Sequence, residues 1–343
     1  MPKFRRRLVR YWPFFHFVVL TAIVTFIGAI IIKSIPPVVK IAKDLSPMLI
    51  MGTESLRQDN GRINIAILGV GGTGHEGPQM TDTIIIASVP ATRSGKIALI
   101  SVPRDIYIEA LGDKINSAYT QGEEKKAGGG FVLTKAVLSQ VTGLPIHYAV
   151  KFDFAAFEKI IDYLGGVDIN IENTFTDDMY PIPGKENDDC GGNDLEFKCR
   201  YETITFQKGL THMSGTTALK FARSRHSANL NEGTDFARAI RQQKLIAAIK
   251  NIITAPQFVF SPPKILEVYS TLSQNIFFDA TSQELSSAIR LAPKLKNSTL
   301  VSIILNEDLF YNPPTDRRGW ILLPVEPDFK NIKEYLQSKL PSQ

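Results

Sequence analysis

Hydrophobic and polar positions divide the chain into three regimes. From Trp12 to Ile32 the only polar side chains are His16, Thr21 and Thr25, in 21 residues. As a helix rising 1.5 Å per residue, that run is about 30 Å long, the thickness of a bilayer core. Between 34 and 60 the pattern is mixed and broken by Pro36, Pro37 and Pro47, which reads as a stalk without chemistry. Beyond it, short apolar runs alternate with turn-forming stretches. Ile63–Leu68, Thr83–Val89 and Ile97–Val102 are rich in Ile and Val, and Pro90–Gly95 separates the last two. The latter pair predicts a hairpin. Counting outward from its turn sets Asp82 opposite Arg104, a carboxylate and a guanidinium just outside one end of a sheet.

Helical spacing follows. Phe131–Val141 lies between glycines, and Phe154–Leu164 opens after Asp153, an N-cap residue, and stops at Gly165. Val167–Ile171 alternates as a strand does. Ser214 caps a helix through Arg223, and Thr234 or Asp235 begins a long one reaching about Ile253. After Pro256 the pattern predicts a helix near 282–291, strands at Leu300–Leu305 and near Trp320–Leu323, and a helix from Asp328. The irregular alternation predicts an α/β fold, with a mixed central β-sheet and helices on both faces.

Charge decides how the first segment is read. The 343-residue chain carries a net charge of +5, and Lys3, Arg5, Arg6, Arg7 and Arg10 account for all of it. The remaining 34 of 39 basic residues face 34 acidic ones, so the basic isoelectric point is no sign of nucleic-acid binding. Arginines directly before an apolar run predict a transmembrane helix over 12–33 with the basic tail, 1–11, in the cytoplasm. A cleaved signal peptide has a shorter apolar region of about 7–15 residues and a small-residue cleavage pattern, which Lys33–Pro37 lacks. The chain is thus expected to be a single-pass plasma-membrane protein whose body lies outside the cell. A folded domain over 61–255 and further strands and helices over 256–343, packing on it or completing it, make up that body.

Two cysteines, Cys190 and Cys199, are too few for a structural zinc site and in an oxidising compartment predict a disulfide. Closing so short a loop restricts the unfolded chain by roughly 2.5–3 kcal/mol. Around them Asp177, Asp178, Glu186, Asp188, Asp189, Asp194 and Glu196 read as a solvated insertion rather than a calcium site.

Two motifs bear on phosphate. Gly69-Val70-Gly71-Gly72-Thr73-Gly74 fits the dinucleotide fingerprint by letter, but a strand follows it where a helix is required. What remains is a glycine loop with backbone amides able to approach phosphate. The second is a basic set. Arg223 and Arg225 flank Ser224, and Asp235, Arg238 and Gln242 share a helix face at i, i+3 and i+7. Arg241 is rotated away by about 60–100°. Alone these residues would suit a salt-bridged surface helix, worth little. With Asp82 and Arg104 at a sheet end they suit a diphosphate and a divalent cation, because the guanidinium fork donates bidentate bonds and stays charged.

These residues resemble the LytR–CpsA–Psr family. The resemblance rests on Met80-Thr81-Asp82-Thr83, Ser101-Val102-Pro103-Arg104-Asp105, Lys114–Ala118, Leu164–Val167, Leu219–Arg225 and Asp235–Gln243, in that order over about 62–254. It implies transfer of a glycopolymer from a polyprenyl diphosphate carrier to cell-wall peptidoglycan, leaving a phosphodiester. It implies Asp82 as ligand to Mg²⁺ (or Mn²⁺), and Arg104, Arg223, Arg225, Arg238 and Gln242 on the diphosphate. Asp235 would orient the arginines or move a proton, and Asp82, Asp105 and Asp235 are all candidates for taking the hydroxyl proton. An apolar slot for the prenyl tail is expected in the domain. Where the family carries a further aspartate and arginine before Asp82, this chain has glycines and Met80, and His75 or Glu76 would substitute as ligand. A non-catalytic envelope-polymer-binding protein and the family's older transcriptional-attenuator label are the alternatives; the latter needs a nucleic-acid module that a ten-residue basic tail does not supply.

Overall fold

A computed structural model describes residues 55–72, 77–91, 95–192, 196–229, 231–255, 276–314 and 317–341. The basic tail, the apolar run at 12–33 and most of the stalk lie outside these residues, as do His75 and Glu76. Among the described residues no helix is long and apolar enough to cross a membrane. The described residues divide into two units, one holding 281–287 and the other the described parts of 56–280 and 288–343. In the first, Thr281 and Glu284 cap a helix start reciprocally: the Glu284 carboxylate accepts from the Thr281 amide at 2.8 Å, and the Thr281 hydroxyl from the Glu284 amide at 3.2 Å.

The second unit begins with β1 (Arg62–Val70), β2 (Thr81–Pro90) and β3 (Lys96–Ser101). β2 pairs antiparallel with both neighbours, and its Ile85↔Ser101 register with β3 extends to Asp82 opposite Arg104. Helices α1 (Ala118–Lys125) and α2 (Gly129–Thr142) lead into β4 (Tyr148–Asp153), which lies parallel to β1. Asp153 then caps α3 (Phe154–Tyr163) by accepting from the Ala156 amide. Two antiparallel pairs follow, β5 (Val167–Ile171) with β8 (Gly209–Met213) and β6 (Phe175–Pro181) with β7 (Tyr201–Phe206). Ser214 caps α4 (Gly215–Arg223), and Thr234, not Asp235, caps α5 (Asp235–Ile253). The chain ends with β9 (Ile276–Phe278), α6 (Ser282–Leu291), β10 (Thr299–Ile304) and α7 (Lys330–Lys339). The strand expected near 320–323 shrinks to Leu323–Pro324, paired with Phe310–Tyr311.

One six-stranded sheet, ordered β9-β4-β1-β2-β3-β10, organises the unit, and its parallel and antiparallel pairs make it mixed. Because side chains alternate across a strand, each strand serves two cores. Ala66, Leu68, Ile84, Ile86, Ala98 and Ile100 pack with Tyr119, Phe131, Leu138, Ile332 and Leu336 of α1, α2 and α7. On the opposite face Ile85, Ala87, Val89, Ile97 and Leu99 meet Ile246 of α5. α3, α4 and α5 also join β5–β8 in a second core around Ile161, Ile169, Phe175, Phe206, Phe221 and Leu245. No helix intervenes between the glycine loop and β2 in what is described: Gly72, at φ +82°, lies against Asp153, and Gly77 leads back through a turn into β2.

Cys190 and Cys199 are joined in the excursion between β6 and β7, with Cα atoms 5.6 Å apart. Asp188 with these two sulfurs is the one cluster of potential metal ligands of its kind among the described residues, and bridged sulfurs are poor ligands. Alkylating reagents are therefore expected to label neither cysteine in the native protein until it is reduced. Labelling of both before reduction would contradict the staple.

Candidate active site

The site is built at the end of the sheet where β2 begins and β3 ends. Asp82 and Arg104 form an ion pair there. Past it, Asp105 accepts from the Lys114 ammonium at 2.7 Å and lies 3.6 Å from the Arg104 Nε. Burial works against the Arg104 charge, but Asp82, Asp105 and Asp235 outweigh it and hold its pKa above the ordinary arginine value. Arg104 is thus a fixed cation whose Nε finds no hydrogen-bond partner among the described residues.

The remaining cations arrive from α4, α5 and the loop between them. Arg238, 13% exposed, pairs with Asp235 one helical turn earlier at 3.2 Å. Burial lowers its pKa; Asp235 and Asp82 oppose that, whereas Arg104 and Arg225 add to it. Converging guanidiniums with too little negative charge between them favour an anion. Arg223 stacks over Phe154 at 4.4 Å and donates to the Tyr180 hydroxyl at 3.3 Å. Gln242 donates to the Thr83 hydroxyl at 3.0 Å and so ties α5 to β2 beside Asp82. Arg104, Arg223, Arg225, Arg238, Gln242 and Asp82 all line one cavity of ≈ 320 Å³. Each diphosphate-binding candidate and the proposed metal ligand therefore faces a common space.

That cavity continues in two directions. A second cavity, ≈ 290 Å³, shares Thr83, Phe154, Arg223 and Gln242 with it and is otherwise walled by apolar side chains, among them Ile67, Val150, Phe157, Ile160, Leu219 and Ile246. A third, ≈ 330 Å³, shares Asp82, Arg104 and Arg238 and extends past Asp235 to Glu307 and Trp320. A charged cavity that adjoins a hydrocarbon-lined one and one of mixed apolar and acidic walls describes a site for an amphiphile with an anionic head.

Residues 37–332 match the LytR_cpsA_psr family. The chain belongs to it. It is 32% identical over 203 residues to a Bacillus cereus protein named polyisoprenyl-teichoic acid–peptidoglycan teichoic acid transferase TagU, covering 58% of this chain and 55% of the relative. It is 30% identical over 213 residues to the Staphylococcus aureus regulatory protein MsrR, covering 61% and 54%. The chain thus spans about half the length of the curated relatives it matches. Among solved structures it resembles TagT bound to LIIa-WTA, with a TM-score of 0.56 at 21% identity over 85% of this chain and 98% of that one. The fold, a mixed sheet with helices, is accordingly that of LytR_cpsA_psr proteins.

Two side chains in this family member differ from the sequence-based expectation. Asp177, expected in a solvated acidic stretch, is fully buried. It accepts from the Ser224 hydroxyl at 2.7 Å and from the Arg225, His226 and Met179 amides at 2.9, 3.2 and 3.0 Å. Burial alone would raise its pKa, yet these four bonds hold it below the usual carboxylate value. Asp177 therefore positions the Arg223–Arg225 loop. Arg241, expected on another face of a surface helix, points inward and is 3% exposed. It donates to the carbonyls of Phe221, Ser224 and Glu232 and pairs with the Glu232 carboxylate at 2.9 Å. It is a structural clamp, so its replacement is no neutral control for chemistry. Alternation at the start of the β6 segment, where buried Phe175 and Asp177 are interleaved with exposed Thr176 and Asp178, is the one local signal that marked Asp177 as inward-facing.

Proposed function

We propose that this protein is a membrane-anchored phosphotransferase. It moves a glycopolymer from a polyprenyl diphosphate to peptidoglycan outside the cell. The observation that carries the reading is the shared wall of Thr83, Phe154, Arg223 and Gln242 between the apolar cavity and the arginine-lined one. A prenyl chain in the first puts its diphosphate in the second. The 12–33 segment, with its flanking arginines, anchors the domain at the membrane where such a lipid resides. Protease added to intact cells is expected to digest the body, and full protection would contradict this topology.

In the transfer, an acceptor sugar hydroxyl attacks the glycan-side phosphorus. The new P–O bond forms as the bond to the bridging oxygen breaks, and polyprenyl monophosphate departs with that oxygen. Arg104, Arg223, Arg225 and Arg238 neutralise the charge that gathers on the leaving phosphate and the non-bridging oxygens. The hydroxyl proton passes to a carboxylate. All three candidates are ion-paired, Asp82 with Arg104, Asp105 with Lys114 and Asp235 with Arg238; Asp235, 42% exposed and with the longest of these contacts, is the most open of them.

The donor set suits Mg²⁺ or Mn²⁺ of the kind held by one carboxylate with substrate phosphates and water. Asp82, which lines the arginine cavity, would be that carboxylate. The ion, when bound, supplies further charge neutralisation on the diphosphate. The test is incubation of the full chain with a polyprenyl-diphosphate-linked glycopolymer and peptidoglycan, with and without divalent cation. Release of polyprenyl monophosphate that requires the cation, and a weaker requirement in Asp82→Ala, are expected. Binding of the lipid without any turnover would favour a carrier protein over an enzyme.

A further inference from the structure

The third cavity runs beyond the side chains assigned to the diphosphate and the prenyl tail. Beyond Asp82, Arg104 and Arg238 its walls come from the C-terminal part of the unit: Glu307, Phe310, Asn312, Trp320 and Leu322. Trp320 is half exposed, and Glu307 is exposed. The segment bearing Trp320 is nevertheless firmly placed. The Leu322 amide donates to the Asp105 carbonyl at 2.9 Å, and the Tyr107 amide to the Leu322 carbonyl at 2.9 Å, so it is bridged to the stretch directly following Arg104. Ile321 beside it is buried, and the Asn312 amide nitrogen donates to the Ile321 carbonyl at 2.7 Å, leaving the Asn312 oxygen to accept.

From this arrangement we infer that the Trp320 cavity seats a pyranose ring of the glycan, next to the reacting phosphate. An indole offers a flat apolar face to the C–H side of a sugar while a carboxylate and an amide oxygen accept from its hydroxyls. A second prenyl or acyl chain is disfavoured, because Asp105, Asp235 and Glu307 share the lining. The position also follows from the walls the cavities share. All three cavities meet at Thr83 and Gln242, but only the Trp320 cavity shares Asp82, Arg104 and Arg238 with the arginine cavity, and in a prenyl-diphosphate-sugar the sugar is joined to the diphosphate and not to the hydrocarbon. The acceptor hydroxyl must reach the same phosphorus, so the ring belongs either to the donor's first sugar or to the acceptor. This inference rests on the phosphotransfer reading above.

The test is steady-state transfer by the full chain in detergent, with donor and acceptor varied separately. Trp320→Ala and Glu307→Gln alter exposed side chains and should melt as wild type does. Trp320→Ala is expected to raise one KM by about fivefold or more with kcat within about twofold. A raised acceptor KM assigns the seat to the acceptor, and a raised donor KM to the donor's first sugar. Wild-type values for both KM in both variants would overturn the inference. A second readout needs no turnover. In a Trp12→Phe background Trp320 is the sole tryptophan, and its emission is titrated with the soluble N-acetylglucosamine–N-acetylmuramic acid disaccharide and with the released glycopolymer. Should transfer fail altogether, a saturable emission shift with either glycan still supports the sugar seat, and flat titrations with both overturn it.

Discussion

Arg238→Ala is expected to cut polyprenyl phosphate release by between about tenfold and a hundredfold while leaving the protein as stable as before. A charged hydrogen bond contributes roughly 1.5–3 kcal/mol, and each 1.4 kcal/mol is a factor of ten. The stability half of this expectation is the more telling. Arg238 is largely buried with one carboxylate at 3.2 Å, and Arg104 and Arg225 both disfavour its charge. Removing it relieves repulsion among guanidiniums that an anion would otherwise neutralise. An unchanged or slightly raised melting temperature should therefore accompany weakened pyrophosphate binding. Lys244, on the same helix but paired at 2.9 Å with exposed Glu172, is the control. Lys244→Ala should transfer as wild type does. If Arg238→Ala also transfers at the wild-type rate, the arginine cluster is not a phosphate site.

Asp177→Ala should do the opposite to stability. It removes one acceptor from four donors, and the carboxylate is fully buried. Donors left without partners in the interior cost about 3 kcal/mol together, or roughly 6–12 °C in melting temperature. Transfer should fall as well, since the loop that carries Arg223 and Arg225 loses its anchor. The effect is pH-dependent in a defined direction. Asp177 in the folded protein ionises below its unfolded value, which is about 3.9. Its contribution is fully present above that value and is lost as pH falls through the lower, folded one. The stability gap between wild type and Asp177→Ala should therefore be constant near neutrality and narrow in acid below about pH 4. A gap that stayed constant down to the acid transition would show that ionisation of Asp177 is immaterial.

What could be read from sequence and what could not separate along physical lines. The Asp82–Arg104 pair was legible because a turn signal between two Ile/Val-rich runs fixes an antiparallel register, and register fixes neighbours. Asp235, Arg238 and Gln242 were legible for the same kind of reason, since helical period alone puts them on one face. Period does not say which face is packed. Arg241 therefore read as a surface residue, whereas the carbonyls of Phe221, Ser224 and Glu232 draw it inward. Asp177 was hidden by company: among so many acids its burial is decided by a loop 47 residues later in the chain. The Trp320 cavity was hidden by distance. It exists because β10 pairs parallel with β3 and the Leu322 segment docks beside Asp105, contacts that no local pattern encodes.

In the proposed reaction a phosphorus atom moves with the glycan. A donor labelled with ³²P only at its glycan-side phosphate, given to the full chain with peptidoglycan, tests that most directly. Phosphoryl transfer leaves the label covalently bound to peptidoglycan and the released polyprenyl phosphate unlabelled. Label leaving with the polyprenyl lipid as a diphosphate would mean that the sugar–oxygen bond is cut instead, and would contradict phosphoryl transfer.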